Sequence, residues 1–256
     1  MSYVDIAWPW GLVLISLLVL IYGKGYWLRT YCVAGMYFFS GLRMGIGALI
    51  LFKKGHLNSE LSRYKFQRKR WQKLEYKNED ISLQYEILIQ CFANTTFLAL
   101  PAIFQLYNPQ ENISLLEISG YIMWVLFFVM EHVADFQKQK FLEKCFFEKK
   151  KKQVCNVGLW KYCRHPNYFS EWMIWNALIL SSIPSLLYLL PYEKLLLWIG
   201  LLISLIYISR LMYTTLVYYT GAIPSEYYSL KKRPDYKKYQ GTTNMFFPGK
   251  PKKHDI

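Results

Sequence analysis

Residues 195–220 read LLLWIGLLISLIYISRLMYTTLVYYT, an apolar stretch with a single charged residue, Arg210. A helix of about 20 apolar residues is long enough to cross the hydrocarbon core of a bilayer. Five further stretches of similar character lie upstream, at about 6–22, 31–52, 83–107, 115–132 and 168–190. The sequence therefore predicts an all-α integral membrane protein with six, or seven, transmembrane helices in one bundle.

The composition supports this class and excludes several others. Hydrophobic residues make up 54% of the 256 residues, above the roughly 45–50% of soluble domains. Collagen-like, disordered and small disulfide-scaffold proteins are excluded. The five cysteines form no CxxC pair and match no zinc-binding spacing, so no metal site is expected. We predict a single membrane domain over residues 1–256.

The net charge of +14 is open to two interpretations, a polyanion partner or a topology signal. The basic residues concentrate in residues 53–77, in residues 138–152 and in the tail from residue 231, with Lys161 and Arg164 nearby. With six spans these segments share one face, and the positive-inside rule places that face and both termini in the cytoplasm. No nucleic-acid-binding motif accompanies the charge. Anionic lipids, not nucleic acid, are therefore the expected partner.

Charged residues also lie within the predicted spans, where each costs several kcal/mol unless it is paired or hydrated. Arg43 falls in the second span and Arg210 in the sixth, and both predict an ion pair facing a hydrated cavity. Glu86 lies near the start of the third span, where the membrane interface explains it. Glu131 and Asp135, four residues apart, share one helical face at the cytoplasmic end of the fourth span.

The cytoplasmic approach to the fifth span is rich in polar chemistry. Residues 158–171 read GLWKYCRHPNYFSE. Because Pro166 has no backbone donor and disfavours helix at His165, we predict a loop that leads into a helix. Asn167 is the expected helix cap, with Glu171 one turn further in.

This chemistry favours a phosphorylated, ring-containing cytosolic ligand. Arginines bind phosphate, carboxylates bind hydroxyls or a carboxamide, and aromatic side chains stack on rings. The sequence contains no GxGxxG after a strand and no GxxxxGK[ST]. A nucleotide would therefore be held by helices and loops at the membrane surface.

Residues 158–171 resemble the signature of the steroid 5-alpha-reductase family, in the branch formed by its bacterial-type, uncharacterised-domain members. The similarity extends over most of the chain and is strongest from Glu131 onward. The other matching segments are Asp5-Ile6-x-Trp8, Gly41-Leu42-Arg43, Glu131-x-x-x-Asp135-x-Gln137 and Thr220-Gly221…Glu226…Arg233-Pro234-x-Tyr236-x-x-Tyr239…Pro248.

The resemblance implies an integral-membrane, NADPH-dependent reductase of a carbon–carbon double bond conjugated to a carbonyl. It implies that residues 111–256 hold NADPH on the cytoplasmic face and that residues 1–110 line the pocket of a lipophilic substrate entering from the bilayer. Asp135, Asn167 and Glu171 are expected at the nicotinamide end. Charge, ring character and position add six further cofactor-binding candidates: Arg164, His165, Tyr168, Arg210, Tyr236 and Tyr239.

The chain departs from the well-known steroid reductases in two respects. It lacks their first span, and it has no clear counterpart of the Glu–Tyr pair that holds the steroid carbonyl. Asp5 and Arg43 lie nearest to that position and are the catalytic candidates. Steroid, isoprenoid and other enone substrates stay open, as does the choice between a bacterial inner membrane and the endoplasmic reticulum.

Two alternatives belong to other classes. The Arg-His-Pro-x-Tyr segment with a late glutamate is also similar to isoprenylcysteine carboxyl methyltransferases, which use S-adenosylmethionine. A non-catalytic scaffold or lipid-binding membrane protein would use its buried charges only as structural pairs. Binding of NADPH or of S-adenosylmethionine separates the three interpretations.

Overall fold

The structure, a computed structural model, describes residues 4–74, 78–150 and 152–252. All regular secondary structure in these ranges is helical. The α-helices are α1 (Val4–Tyr22), α2 (Trp27–Lys53), α3 (Ser62–Lys73), α4 (Glu79–Thr95), α5 (Leu100–Tyr107), α6 (Leu115–Phe147), α7 (Pro166–Tyr188), α8 (Leu195–Thr214), α9 (Ala222–Lys232) and α10 (Tyr236–Thr242).

Five helical segments within the described ranges are long and apolar enough to cross a membrane: Val4–Tyr22, Trp27–Lys53, Glu79–Tyr107, Leu115–Phe147 and Leu195–Lys232. The chain is therefore a multi-pass membrane protein, and the prediction of an all-α membrane fold is confirmed. The sidedness predicted from the basic segments stays a prediction, and the terminal residues 1–3 and 253–256 lie outside the described residues.

Helix α7 covers the predicted span 168–190 but is not among these five segments. Its polar residues, which include Asn176, Ser181, Ser182 and Ser185, lower its mean hydropathy. The three serines are fully buried. The hydroxyls of Ser181 and Ser182 donate hydrogen bonds to the carbonyls of Leu178 and Ile179, respectively, in the preceding turn. A helix enclosed by protein tolerates such residues because it is not exposed to lipid.

The predicted span 83–107 is broken in the structure. Helix α4 ends at Thr95, a 3₁₀ turn follows at Phe97–Ala99, and α5 begins at Leu100. The hydroxyls of Thr95 and Thr96 bond back to the carbonyl of Phe92. Pro101 stands in the first turn of α5, where a missing amide donor is tolerated.

Two other predicted spans change at their C-terminal ends. The fourth continues well past His132, because α6 runs unbroken for 33 residues to Phe147. The sixth ends in a π-turn at Thr215–Tyr219, after which the chain enters α9. Residues 138–147, predicted to be a linker, are therefore helical.

The chain divides into two compact units. The first comprises the residues up to Trp124 together with Trp175–Leu211. Its centre is the α1–α2 hairpin, where a Cβ added at Gly41 would lie 2.5 Å from the carbonyl oxygen of Pro9. Glycine at this position lets the two backbones approach closely. The Tyr37 and Trp175 rings pack edge to face beside this hairpin.

A buried ion pair joins the start of α2 to the start of α6 in the first unit. Arg29 and Glu117 are fully buried and paired through Arg29 Nε. The remaining guanidinium donors bond the carbonyls of Asn108 (3.1 Å), Gln110 (2.7 Å) and Asn112 (3.2 Å). Glu117 also accepts from the amide of Ser114, whose hydroxyl accepts from the Glu117 amide in return. This capping box starts α6. Together with the bonds of Arg29, it provides hydrogen-bond partners for both buried charges.

The second unit comprises Val125–Ile174 and the residues from Met212 onward. It contains the C-terminal part of α6, the signature loop (residues 158–165), the first part of α7, and α9 and α10. Its apolar centre is aromatic. Phe169 and Trp172 of α7 pack against Tyr213, Phe246 and Phe247.

Candidate cofactor site

The signature loop is fastened to α6 in the second unit. Gly158 has a positive φ of 53°, and an added Cβ would lie 2.3 Å from Gln137 Oε1. That same oxygen accepts a hydrogen bond of 2.8 Å from the Leu159 amide. Trp160 Nε1 donates to the Ala134 carbonyl at 2.8 Å. Only glycine fits both the backbone conformation and this close approach.

Arg164 forms the polar centre of the unit. Its Nε and Nη2 bond the two carboxylate oxygens of Glu226 at 2.7 and 3.1 Å. Its Nη1 bonds the carbonyls of Gln240 and Thr243. Arg164 and Glu226 are 8% and 7% exposed. Because its donors already point at protein oxygens, Arg164 holds the C-terminal segment in place. Its role in binding the cofactor stays a prediction.

His165 lies on the other side of Glu226. Its Nε2 is 3.1 Å from Glu226 Oε1, and its ring stacks on Tyr168 with centroids 5.3 Å apart. Burial lowers the pKa of His165, and the hydrogen bond to Glu226 offsets part of that effect. A neutral imidazole that donates to Glu226 satisfies both observations. His165 thus orients its neighbours, and Tyr168 borders it.

Asp135 and Asn167 are brought together. Asn167 Nδ2 donates to Asp135 Oδ1 at 3.1 Å, across 32 positions of sequence. Asn167 Oδ1 is buried and accepts no hydrogen bond from the residues that the structure describes. Glu131, one turn earlier on α6, and Glu171, one turn later on α7, are both buried. Three carboxylates and one carboxamide thus line adjacent turns of two helices.

The position of Asn167 in the helix differs from the prediction. Helix α7 begins at Pro166, and the amide of Phe169 bonds the carbonyl of His165, so His165 is the capping residue. Asn167 lies inside the first turn, and its side chain is free to reach Asp135 rather than its own backbone. Proline is favoured at this first helical position because it has no amide to satisfy.

Tyr236 and Tyr239 are buried in the helix α10. The Tyr239 hydroxyl donates to the Trp160 carbonyl, and the two tyrosine rings lie edge to face with centroids 5.7 Å apart. Burial raises the pKa of both hydroxyls. Tyr239 fixes the loop, and both tyrosines line a cavity.

The remaining candidates belong to the first unit. Arg210 lies on α8 with an exposed side chain, and Arg43 is half-buried on α2. Asp5 accepts hydrogen bonds from Arg63 and Tyr64 of α3. Tyr64 was missed by sequence reasoning because it lies in a basic stretch. Its helical spacing with the other buried residues of α3, Gln67 and Trp71, is the signal that marks it.

A cavity of about 40 Å³ opens beside the Arg164 cluster, wholly within the second unit. Its walls include Lys138, Cys155, Ser229 and Arg233, none of which the sequence singled out as a site residue. Lys138 was counted only as part of a basic linker, whereas the extension of α6 carries it to the cavity. In the described part of the chain, no group of three His, Cys, Asp or Glu residues is arranged to hold a metal.

These residues fit a dinucleotide in two respects. The unpartnered Asn167 oxygen suits a donor such as a carboxamide N–H, and the basic cavity wall suits a phosphate. Comparison with known proteins adds the family alone. A family model described as a protein of unknown function, DUF1295, matches residues 1–243. No curated protein matches, and no solved structure matches.

Proposed function

This chain belongs to the DUF1295 family, proteins of unknown function. From its resemblance to the steroid 5-alpha-reductase family, together with the contact between Asp135 and Asn167, we propose that it is a membrane-embedded, NADPH-dependent reductase. The bond reduced is a carbon–carbon double bond conjugated to a carbonyl. The substrate is lipophilic, of steroid, isoprenoid or similar enone type, and enters from the bilayer. The cofactor side faces the cytoplasm, at a bacterial inner membrane or the endoplasmic reticulum.

One observation carries the proposal: the Asp135–Asn167 contact and the buried Asn167 oxygen that it leaves without a partner. An unmatched buried acceptor is unfavourable by roughly 1–3 kcal/mol. A ligand that donates an N–H there recovers this energy. The carboxamide of nicotinamide is such a donor, and the neighbouring carboxylates can accept from ribose hydroxyls.

In the proposed mechanism NADPH, when bound, supplies a hydride to the β-carbon of the enone. Asp135 fixes the rotamer of Asn167, and Asn167 orients the carboxamide. Glu171 lies one turn after Asn167 on α7. Asp135, Asn167 and Glu171 hold the nicotinamide ring in one position and take no part in proton transfer.

Three residues are proposed to act on the substrate carbonyl. Asp5 and Arg43 are proposed from the sequence, and Tyr64 joins them because its hydroxyl is a donor already held by Asp5. When the Tyr64 hydroxyl turns from Asp5 toward the substrate carbonyl oxygen, its hydrogen bond stabilises the enolate that forms as hydride arrives, and the α-carbon then takes a proton from water. Arg63 balances the charge of Asp5. Basic residues on the same face favour contact with anionic lipids.

The test is ligand binding to the detergent-purified chain. NADPH should raise the unfolding temperature and show enhanced nicotinamide fluorescence, and Asn167→Ala and Asp135→Ala should each abolish both signals. Asn156→Ala and Asp235→Ala are matched controls, because these exposed residues lie in the same unit outside the contact. They should behave as wild type.

Two other results would replace the proposal. Stabilisation by S-adenosylmethionine and not by NADPH would assign the site to a methyltransferase. No response to either ligand, from protein that unfolds cooperatively, would favour a non-catalytic membrane scaffold or lipid-binding protein.

A further inference from the structure

The cavity in the second unit has a distinctive electrostatic character. Three cations, Lys138, Arg164 and Arg233, stand in its wall, and no Asp or Glu does. The Glu226 carboxylate nearby is already bonded to Arg164, His165 and Gln240. The positive charge of the wall is therefore not neutralised by the wall itself.

Lys138 and Arg233 each have N–H donors that no hydrogen bond to the described residues uses. Lys138 Nζ lies 4.4 Å from the centre of the Trp160 ring and pairs with no carboxylate among the described residues. Arg233 bonds the Gln153 carbonyl through Nε and the Ser229 hydroxyl through Nη1. Its Nη2 makes no hydrogen bond within the described ranges of the chain. The two existing bonds fix the guanidinium and leave one edge of it unused.

The size of the cavity limits what can enter it. A volume of about 40 Å³ has room for roughly three water-sized groups, which is the scale of one phosphate group and far below that of a nucleotide. The exposed wall residues Leu142 and Gln153 show that the cavity reaches the surface. A larger ligand can place one phosphate inside and extend outward.

We propose that this cavity is a phosphate-binding site, formed by Lys138 and Arg233, which receives one phosphate of the diphosphate of the dinucleotide cofactor. The assignment rests on the proposed function. Lys138 lies one helical turn beyond Asp135, roughly 5 Å along the axis of α6. With nicotinamide at Asp135 and Asn167, the diphosphate is the phosphate group nearest to the ring. The 2′-phosphate lies at the far end of the cofactor. Arg233 supplies hydrogen bonds and Lys138 a point charge.

This site also discriminates between the proposed cofactors. S-adenosylmethionine has a sulfonium centre and no phosphate, so a wall with two unneutralised cations disfavours it. Cys155 in the same wall provides a reporter. Burial raises the pKa of Cys155 to about 11, so its alkylation is slow, and a ligand that fills the cavity should slow it further.

The experiment follows alkylation of the full-length protein by N-ethylmaleimide at pH 9, read by mass spectrometry, with inorganic pyrophosphate as the probe. Pyrophosphate should slow alkylation of Cys155 about tenfold, with Cys145 unchanged as the internal reference. Lys138→Met and Arg233→Met should each weaken the apparent affinity for pyrophosphate and for NADPH about tenfold or more. Lys138→Arg and Arg233→Lys, which keep the charge, should retain most of it.

Lys140→Met on α6 and Lys231→Met on α9 are the matched controls, since each removes an exposed cation outside the cavity wall. Equal losses in these controls would overturn the site, because they would indicate a general charge effect. So would pyrophosphate that leaves Cys155 unprotected while NADPH still binds Lys138→Met normally. In that case the proposed function would survive.

The converse result separates the two proposals. Protection of Cys155 by pyrophosphate, lost in Lys138→Met, together with no binding of NADPH, would keep a phosphate site. It would overturn both its assignment to a dinucleotide and the reductase. A free anion would then be the ligand. Unfolding temperatures measured without ligand show which variants are folded before affinities are compared.

Discussion

The Arg164–Glu226 pair shows what a buried charge needs at the level of a single residue. Both side chains are nearly excluded from solvent, and each has hydrogen-bond partners beyond the other. Desolvation of such a pair is compensated only while every partner remains in place. The pair joins the signature loop to α9 and to the tail, so its integrity controls the second unit.

Arg164→Met should therefore lower the free energy of unfolding by about 3–5 kcal/mol, because Glu226 would remain buried without its cation. The double variant Arg164→Met/Glu226→Met should recover a large part of this loss. Denaturant unfolding in detergent measures both. Lys161→Met is the control, since this neighbouring cation is exposed. An Arg164→Met protein as stable as Lys161→Met would contradict the assignment.

His165 predicts a pH dependence. Its pKa in the folded protein is lowered by burial, whereas the unfolded value is about 6.5. Below about pH 6.5 the unfolded chain binds the proton more readily, so stability falls as the pH is lowered and is complete above that value. The free energy of unfolding between pH 7.5 and 5.5 measures the effect.

His165→Gln should remove this part of the pH dependence, while His56→Gln, which changes an exposed histidine, should retain it. The same slope in wild type and His165→Gln would show that another group is responsible. The slope lost should not exceed about 1.4 kcal/mol per pH unit.

At the level of helices, close backbone approach is set by glycine. A Cβ added at Gly120 of α6 would lie 2.7 Å from the amide nitrogen of Ser181 on α7. Because this nitrogen belongs to the backbone, it cannot rotate away from the added Cβ. The clash is relieved only if α6 and α7 move apart. Gly120→Ala should cost about 1–3 kcal/mol of stability, measured by unfolding in detergent.

Gly200→Ala is the matched control on α8, where nothing lies within 4 Å of the added atom. It should be neutral or slightly stabilising, because alanine favours helix by about 0.5–1 kcal/mol over glycine. Equal destabilisation of both variants would show that the α6–α7 contact is not close.

Much of the helical architecture could be predicted from the sequence. Apolar length alone identifies α1 and α8, and Pro166 fixes the start of α7. The break at Thr96 and the extension of α6 to Phe147 were missed, because each depends on local hydrogen bonds or packing that hydropathy does not encode.

For the site, the resemblance identifies Asp135 and Asn167, which the structure brings into contact. Pairings such as Arg29–Glu117, 88 positions apart, could not be predicted, because they depend on which helices pack together. The position of Lys138 in the cavity wall could not be predicted for a similar reason. A basic residue within a charged run of sequence does not indicate which residues surround it in the fold.

The whole molecule is a multi-pass membrane protein whose sidedness rests on its basic segments. Residues 138–152 and the tail from residue 231 should face the cytoplasm. In oriented vesicles, a membrane-impermeant maleimide should label Cys145 from the cytoplasmic side only. Glu111→Cys, in the exposed connection between α5 and α6, should be labelled only from the opposite side. The reverse pattern would invert the topology.

The length of α6 has a consequence for ligand capture. Asp135 lies 20 residues beyond Leu115, roughly 30 Å along the helix, which equals the hydrocarbon thickness of a bilayer. The cofactor side would thus sit at head-group level. A surface potential near −30 mV there would deplete a dinucleotide with four negative charges about a hundredfold. The lysines of residues 138–152 oppose this depletion locally. Cofactor affinity should therefore depend on the anionic lipid content of the membrane that surrounds the protein.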